Sequence, residues 1–215
     1  FLQQYPALIA QRDDLVLEEI TLLNQTGAYE KAKTLLDAHI FHPWEGGEGK
    51  VPAQYQFARV ELAKLALKEG RNEEAVLLLE ECLVYPHHMG EGKLYGAQEN
   101  DFYYFLGCAY DAMGQKKKAK ECWEKATLGP TEPAAALYYN DAKPDKIFYQ
   151  GLALLKLNRM DEANGRFHKL TTYGEKHLFD KVKMDYFAVS LPDLLIWEDD
   201  LTIRNVIHCK YMMAL

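Results

Sequence analysis

Long apolar runs are missing from this 215-residue sequence. No stretch approaches the ~18 consecutive apolar residues of a membrane-spanning helix, so no span is expected in this segment. Positive charge is also scarce: 25 Lys and Arg stand against 32 Asp and Glu, a net charge of −7. Phosphate backbones are bound by basic faces, which argues against nucleic acid as a partner. Cysteine is sparse. Cys82, Cys108, Cys122 and Cys209 form no C-x-x-C pair. The expected state is four free, buried thiols, and that favours a reducing compartment such as the cytoplasm.

Motifs that carry chemistry are missing as well. Gly49-Lys50 and Gly92-Lys93 suggest a phosphate loop, but the spacing fails. That motif needs glycine five residues earlier and Ser or Thr after the lysine. Trp44 and Val51 hold those places in the first copy, His87 and Leu94 in the second. His87-His88 has no further histidine at ligand spacing, so no metal is expected. No Ser-His-Asp or Cys-His motif appears. The expectation is a protein that is no enzyme and holds no cofactor. The chain opens on Phe1 and stops inside a helical pattern at Leu215. Both ends read as cuts in a longer protein, and apolar Val206, Ile207, Tyr211, Met212 and Leu215 there predict self-association.

What the sequence does have is a period. Gly27, Gly70, Gly114 and Asn158 lie 43, 44 and 44 residues apart. Five residues after each stands alanine: Ala32, Ala75, Ala119 and Ala163. Nine residues after each stands a large apolar side chain: Leu36, Leu79, Trp123 and Phe167. A period of this size marks a solenoid of repeated helix pairs, which offers a binding surface more readily than a catalytic pocket. Small residues are needed where two helix axes approach, as at Gly107 and Ala119. Glycine, or asparagine in its place, suits the left-handed residue that closes a helix.

The third unit resembles the tetratricopeptide repeat most closely, through Tyr103, Leu106, Gly107, Tyr110, Gly114, Ala119, Trp123 and Ala126. The fourth keeps Gly151, Ala163 and Phe167; the second has Ala63, and the first Ile20, in place of the close-packing glycine. The period exceeds the 34 residues of that family, and HEAT-type repeats are the rival. The resemblance implies an all-α, right-handed solenoid with units at about 13–41, 56–84, 100–128 and 144–173 and a partial unit at 175–215. Long loops fall at His42–Gln54, Tyr85–Asn100 and Leu128–Lys143. Further expectations are one long helix over Tyr5–Asn24, another over Glu175–Val189, a turn and short helix over Leu191–Asp200, and a helix over Thr202–Leu215. About ten helices and no strand result.

The same resemblance implies a concave groove lined by first helices. By register it holds Asp14, Leu17, Thr21 and Asn24, then Phe57, Val60, Lys64 and Leu67. Asp101, Tyr104, Cys108 and Asp111 follow, then Asp145, Phe148, Leu152 and Leu155. Family members that clamp a chaperone's terminal carboxylate do so with basic and amide residues. Here those places hold Leu17, Thr21, Val60, Lys64, Asp101 and Phe105, so such a clamp is not expected. A protein segment, or an N-terminal domain of the same protein, is the expected partner.

A second lead is a repeated loop. Pro43-Trp-Glu-Gly-Gly-Glu-Gly-Lys aligns with Pro86-His-His-Met-Gly-Glu-Gly-Lys at an offset of 43. The copies present Trp44, Glu45, Glu48, Lys50, His87, His88, Glu91 and Lys93. The shared core reads as structural, and Trp44 and His87, which the repeat does not preserve, read as binding. The loops also resemble the C-terminal repeat half of large bacterial proteins whose N-terminal half is β-rich and similar to sugar-mutarotase folds. That implies, by association alone, the alternative of an accessory half of a carbohydrate-active enzyme.

Overall fold

The structure, a computed structural model, describes residues 4–135, 141–182 and 200–215. These residues form ten α-helices and no strand. The helices are α1 (Pro6–Ile9), α2 (Asp13–Gln25), α3 (Tyr29–Ala38), α4 (Lys50–Lys68), α5 (Asn72–Cys82), α6 (Asn100–Ala112), α7 (Lys116–Ala126), α8 (Pro144–Lys156), α9 (Met160–His177) and α10 (Leu201–Ala214). A 3-10 turn spans His87–Met89. The chain divides into two compact units. One is Phe1–Ala97 with Cys108–Gln115, the other Gln98–Gly107 with Lys116–Leu215. Within each, successive helices pack as hairpins on their neighbours, the packing of a helical repeat.

Four turns close the hairpins identically. Gly27, Gly70 and Gly114 take φ of 79°, 77° and 74°, and Asn158 takes 59°. The next residue's N–H reaches back across each helix end. Ala28 donates to the Leu23 carbonyl at 2.8 Å, Arg71 to Ala66 at 2.8 Å, Gln115 to Tyr110 at 2.8 Å and Arg159 to Leu154 at 2.9 Å. These bonds satisfy carbonyls that the helix leaves open.

Behind each turn the two helices touch. A Cβ at Gly107 would lie 2.3 Å from the Trp123 indole, and one at Gly151 would lie 2.3 Å from the Phe167 ring. The equivalent places hold Ala63 with Leu79 and Ile20 with Leu36, all fully buried. Side-chain size therefore trades across the contact: an aromatic ring on the second helix faces glycine on the first, and leucine faces a residue that carries a side chain.

Polar groups fasten the hairpins' other end. The Gln56 amide donates to the Cys82 carbonyl at 3.3 Å, and the Asn100 amide to the Ala126 carbonyl at 2.8 Å. Asp13, at the same place in the first pair, meets the His39 ring at 2.6 Å. In the second repeat Arg59 of α4 is 2 % exposed. Its guanidinium stacks 3.4 Å above the Tyr55 ring, donates to Glu81 of α5 at 2.7 Å and pairs with Asp37 of α3. Burial pushes the Tyr55 hydroxyl up to about 12.

Three expected boundaries move. Tyr5–Asn24 is two helices, because Arg12 is extended and pairs with Asp14, while Asp13 and Asp14 favour a fresh helix start. The second unit's first helix starts at Lys50 rather than near 56, since Gly49 turns the chain at φ 75° and Val51 and Tyr55 already face the core. The expected helix does not begin at Glu175, because α9 runs unbroken to His177 and residues 178–182 are not helical; the rest of that expectation, residues 183–189, lies outside the described residues. The Leu191–Asp200 expectation, apart from Asp200 itself, lies outside the described residues. The last helix forms as expected. Met212, expected on its open apolar face, is fully buried beside Ile147 and Leu170. The exposed stripe is instead Ile203, Ile207 and Tyr211. All four cysteines are thiols outside any disulfide; Cys82 and Cys209 are buried, Cys108 and Cys122 half-buried.

The size trade has a direct test. Gly107→Ala should destabilise by ~1–3 kcal/mol through overpacking. Trp123→Ala should cost ~3–5 kcal/mol through the cavity it leaves. Gly107→Ala with Trp123→Leu copies the second pair's combination. Denaturant melts should show that double change costing less than the sum of its parts, by ~0.5–3 kcal/mol. Strict additivity would refute the trade.

Arg59 makes a pH prediction. Burial alone would raise the Asp37 carboxyl, but hydrogen bonds from Lys33 and Arg59 outweigh it and hold the group below its ordinary value. A lowered carboxylate contributes stability that is present above its unfolded pKa and lost as pH falls through the folded one. Stability should hold from neutrality to about pH 4 and fall below it, with part of that fall contributed by Asp37. In Arg59→Met the Asp37 contribution should shrink, and the whole curve should sit lower by ~1–3 kcal/mol, the order of the lost charge-assisted hydrogen bonds to two part-exposed carboxylates. Parallel curves of equal height would contradict this.

Candidate functional site

The repeated loops meet edge to edge in the first unit. The first loop turns at Gly46 and Gly49, with φ of 80° and 75°. Gly47 donates to the Trp44 carbonyl at 3.1 Å. A Cβ at Gly47 would sit 2.2 Å from the Trp44 ring, so only glycine lets the indole fold back on its own loop. The second loop lies against the first. The Phe41 N–H donates to the His88 carbonyl at 2.8 Å, and a Cβ at Gly90 would lie 2.6 Å from the Phe41 carbonyl oxygen. Met89 is buried in a core that includes Ile9, Phe41, Val51 and Tyr55.

Glu91 joins the copies by accepting the Gly49 N–H at 2.8 Å. Burial raises its pKa, and the nearby Glu48 charge adds to the rise; the Gly49 bond opposes it. Glu48 is exposed and makes no equivalent bridge among the described residues. Lys93 donates to the Leu83 carbonyl at 3.4 Å, and Lys50 is the exposed first residue of α4. A hollow of about 340 Å³ opens here, lined by Trp44, Glu45, Glu48, Met89 and Glu91 among others. His87 and His88 do not line it. His87 is exposed on the 3-10 turn. His88 lies 6.2 Å from the Tyr55 ring, and its Nε2 is buried without a hydrogen-bond partner among the described residues.

The residues placed in the groove by register separate into two kinds. Leu17, Asn24 and Val60 are buried. Asp101 is 8 % exposed and pairs with Lys146 of α8. Asp145 beside it is raised chiefly by burial. These residues brace helices. Phe57 is 46 % exposed, with its ring edge-on to Tyr29. Lys64 donates to Glu61 at 2.7 Å, and Asp111 is half-buried.

Tyr104 and Phe148 are half-buried in a cluster of four rings on α6 and α8. Tyr104 and Phe105 stand 5.3 Å apart, Phe105 and Tyr149 5.3 Å, and Phe148 and Tyr149 5.7 Å. Sequence reasoning missed Tyr149, although the period points to it: Phe148 and Tyr149 follow Tyr104 and Phe105 by 44 residues.

Glu91 generates a graded prediction. Glu91→Ala strips an acceptor from the Gly49 N–H and should cost ~1–3 kcal/mol. Glu91→Gln keeps an acceptor and removes a charge that burial disfavours, so it should equal or exceed the natural protein in stability near neutrality. Glu48→Ala should stay within ~0.5 kcal/mol. Thermal melts that rank Gln below Ala at position 91 would overturn the bridge.

Among the described residues, no group of three or more His, Cys, Asp or Glu side chains is arranged to hold a metal ion, and no helix is long and apolar enough to cross a membrane. No solved structure gives a significant match to the chain. A family model described as tetratricopeptide repeat matches residues 101–128, the span of α6, its Gly114 turn and α7. With the glycine–tryptophan contact and the left-handed turn already in place there, the α6–α7 pair is a tetratricopeptide repeat.

Proposed function

We propose that the chain is a non-catalytic scaffold that receives an apolar segment of a protein on the first helices of its repeats. Tetratricopeptide repeats serve protein interaction in general, and the observation that carries the narrower reading is the ring cluster. Tyr104, Phe105, Phe148 and Tyr149 belong to consecutive first helices and remain half-exposed. Aromatic residues at such a place give large contact area with few rotamers to freeze, which is why they dominate interface energies. The segment comes from another protein or from a domain of the same one.

The alternative is a sugar site closed by the loops of an accessory enzyme half. The hollow beside Trp44 brings an indole and carboxylates together, which suits sugars in outline. His87 and His88 of the second loop do not line it.

Peptide display selection on the purified chain tests the scaffold. It should enrich sequences with apolar or aromatic residues at helical spacing. Tyr104→Ser with Phe148→Ser should weaken the selected peptides at least tenfold, about 1.4 kcal/mol, with the far-ultraviolet spectrum unchanged. Peptides whose affinity ignores both changes would move the binding surface elsewhere.

A further inference from the structure

We propose that the hollow beside Trp44 receives a cationic side chain, lysine or arginine, projecting from a protein partner. This deepens the scaffold reading and rests on it. The hollow, about 340 Å³, suits a side-chain tip and excludes a folded element. Its wall is the Trp44 indole, kept in place because Gly47 has no side chain to push it out. Its floor is Met89, 1 % exposed. Glu45 and Glu48 stand at the rim, and Glu91 lies deeper with one oxygen on Gly49.

Three carboxylates around an indole lack a counter-charge. None of Glu45, Glu48 and Glu91 forms an ion pair among the described residues. Among the described residues, the basic side chains nearby form no ion pair with these carboxylates, although the His42 ring also lines the hollow. The His42 ring lies 3.1 Å from Asp13, and Lys93 reaches the Leu83 carbonyl. Lys50 points from the start of α4 as an exposed side chain. The carboxylates also repel one another, since Glu48 acts to raise Glu91.

A cation relieves that repulsion and gains the attraction of an indole face, the strongest of the aromatic faces for cations. A neutral sugar could stack on the indole but would leave the negative charges unopposed. A phosphate would be repelled. A metal ion needs several oxygens converging on one point, and no such group occurs among the described residues.

The repeat explains why these charges are free. Glu91 bonds the N–H of Gly49, 42 residues earlier. The same step from Glu48, its counterpart in the first loop, lands on Pro6, which has no N–H to give. Glu48 keeps the motif's identity without its bracing bond.

The test reads the Trp44 indole N–H by NMR in the intact chain, with Trp123 as internal control. The probes are tri-arginine amide, tri-lysine amide, tri-citrulline amide, methyl glucoside and calcium chloride. Both cationic peptides should shift Trp44 in a saturable way and leave Trp123 still. Tri-citrulline, which has arginine's shape without its charge, should not. Glu45→Gln with Glu48→Gln, both exposed positions, should weaken the response about tenfold without changing the melting midpoint. Raising salt should weaken it further.

A silent Trp44, an equal response to tri-citrulline, or an unaffected double variant would overturn the proposal. A response to methyl glucoside or calcium in place of the cationic peptides would overturn it too, and would assign the hollow to sugar or metal. If display peptides still bind at Tyr104 and Phe148 while Trp44 stays silent, only this inference fails. If the peptides fail and Trp44 responds, the α6–α8 surface is what fails.

Discussion

The distance between the two helices of each pair is the constraint on which the other features depend. In the third and fourth pairs it is set where glycine on the first helix faces an aromatic ring on the second. With glycine at position 107 the indole of Trp123 rests on the backbone of α6, close enough for its Nε1 to donate to the Tyr104 carbonyl at 3.3 Å. A methyl group there would force the ring off. The left-handed turn residue follows from the same need. Two helices in such contact must reverse within about two residues, and a residue at positive φ does so while closing the helix end. Asn158 fills that role in the fourth pair because its side chain tolerates the left-handed region better than other non-glycine residues.

At the opposite end of the hairpin the problem is different. The second helix ends with open carbonyls, and a polar side chain at the facing place of the first helix meets them. Gln56 and Asn100 donate amide hydrogens to Cys82 and Ala126. Asp13 has no hydrogen to donate, so the chain supplies His39 as its partner and the His42 N–H as a second. The fourth pair has Pro144 at this place, with no side-chain donor, and Gln150, one turn and a half further on, holds the loop instead through the Leu128 and Pro130 carbonyls. Each solution respects the rule that buried polar groups find partners. Arg59 adds a brace across α3, α4 and α5, and its stacking on Tyr55 packs the guanidinium as a flat apolar plate while its edges remain bonded.

Legibility followed periodicity. The turn residues and the Gly107–Trp123 contact recur at fixed spacing in side-chain type, so they could be read before any coordinates. The polar fastening escaped because its three instances use glutamine, asparagine and aspartate, and two of its partners are backbone carbonyls that leave no mark in a sequence. Helix starts were missed for a related reason. Whether Lys50 belongs to a loop or a helix depends on Gly49 and on the burial of Val51, and burial is a property of the neighbours. Groove positions read by register alone proved mixed: Leu17, Val60 and Asp101 fit the stripe but are consumed by packing or pairing. The ring cluster was half legible, since Tyr104 and Phe148 lie on the register while Phe105 and Tyr149 lie one residue off it.

Departure from the period is itself informative. Positions that recur in kind are those the fold needs, and the fold gains nothing from keeping the others. The aromatic pair Tyr104 and Phe105 corresponds to Val60 and Glu61 in the unit before, so the rings are confined to α6 and α8. Trp44 corresponds to His87, so the second copy of the loop sequence has no indole to wall such a hollow. A row of identical sites would bind a repetitive ligand. The Trp44 hollow and the ring patch, which the period does not repeat, fit instead the proposed kind of partner, one that presents a particular side chain at a particular place.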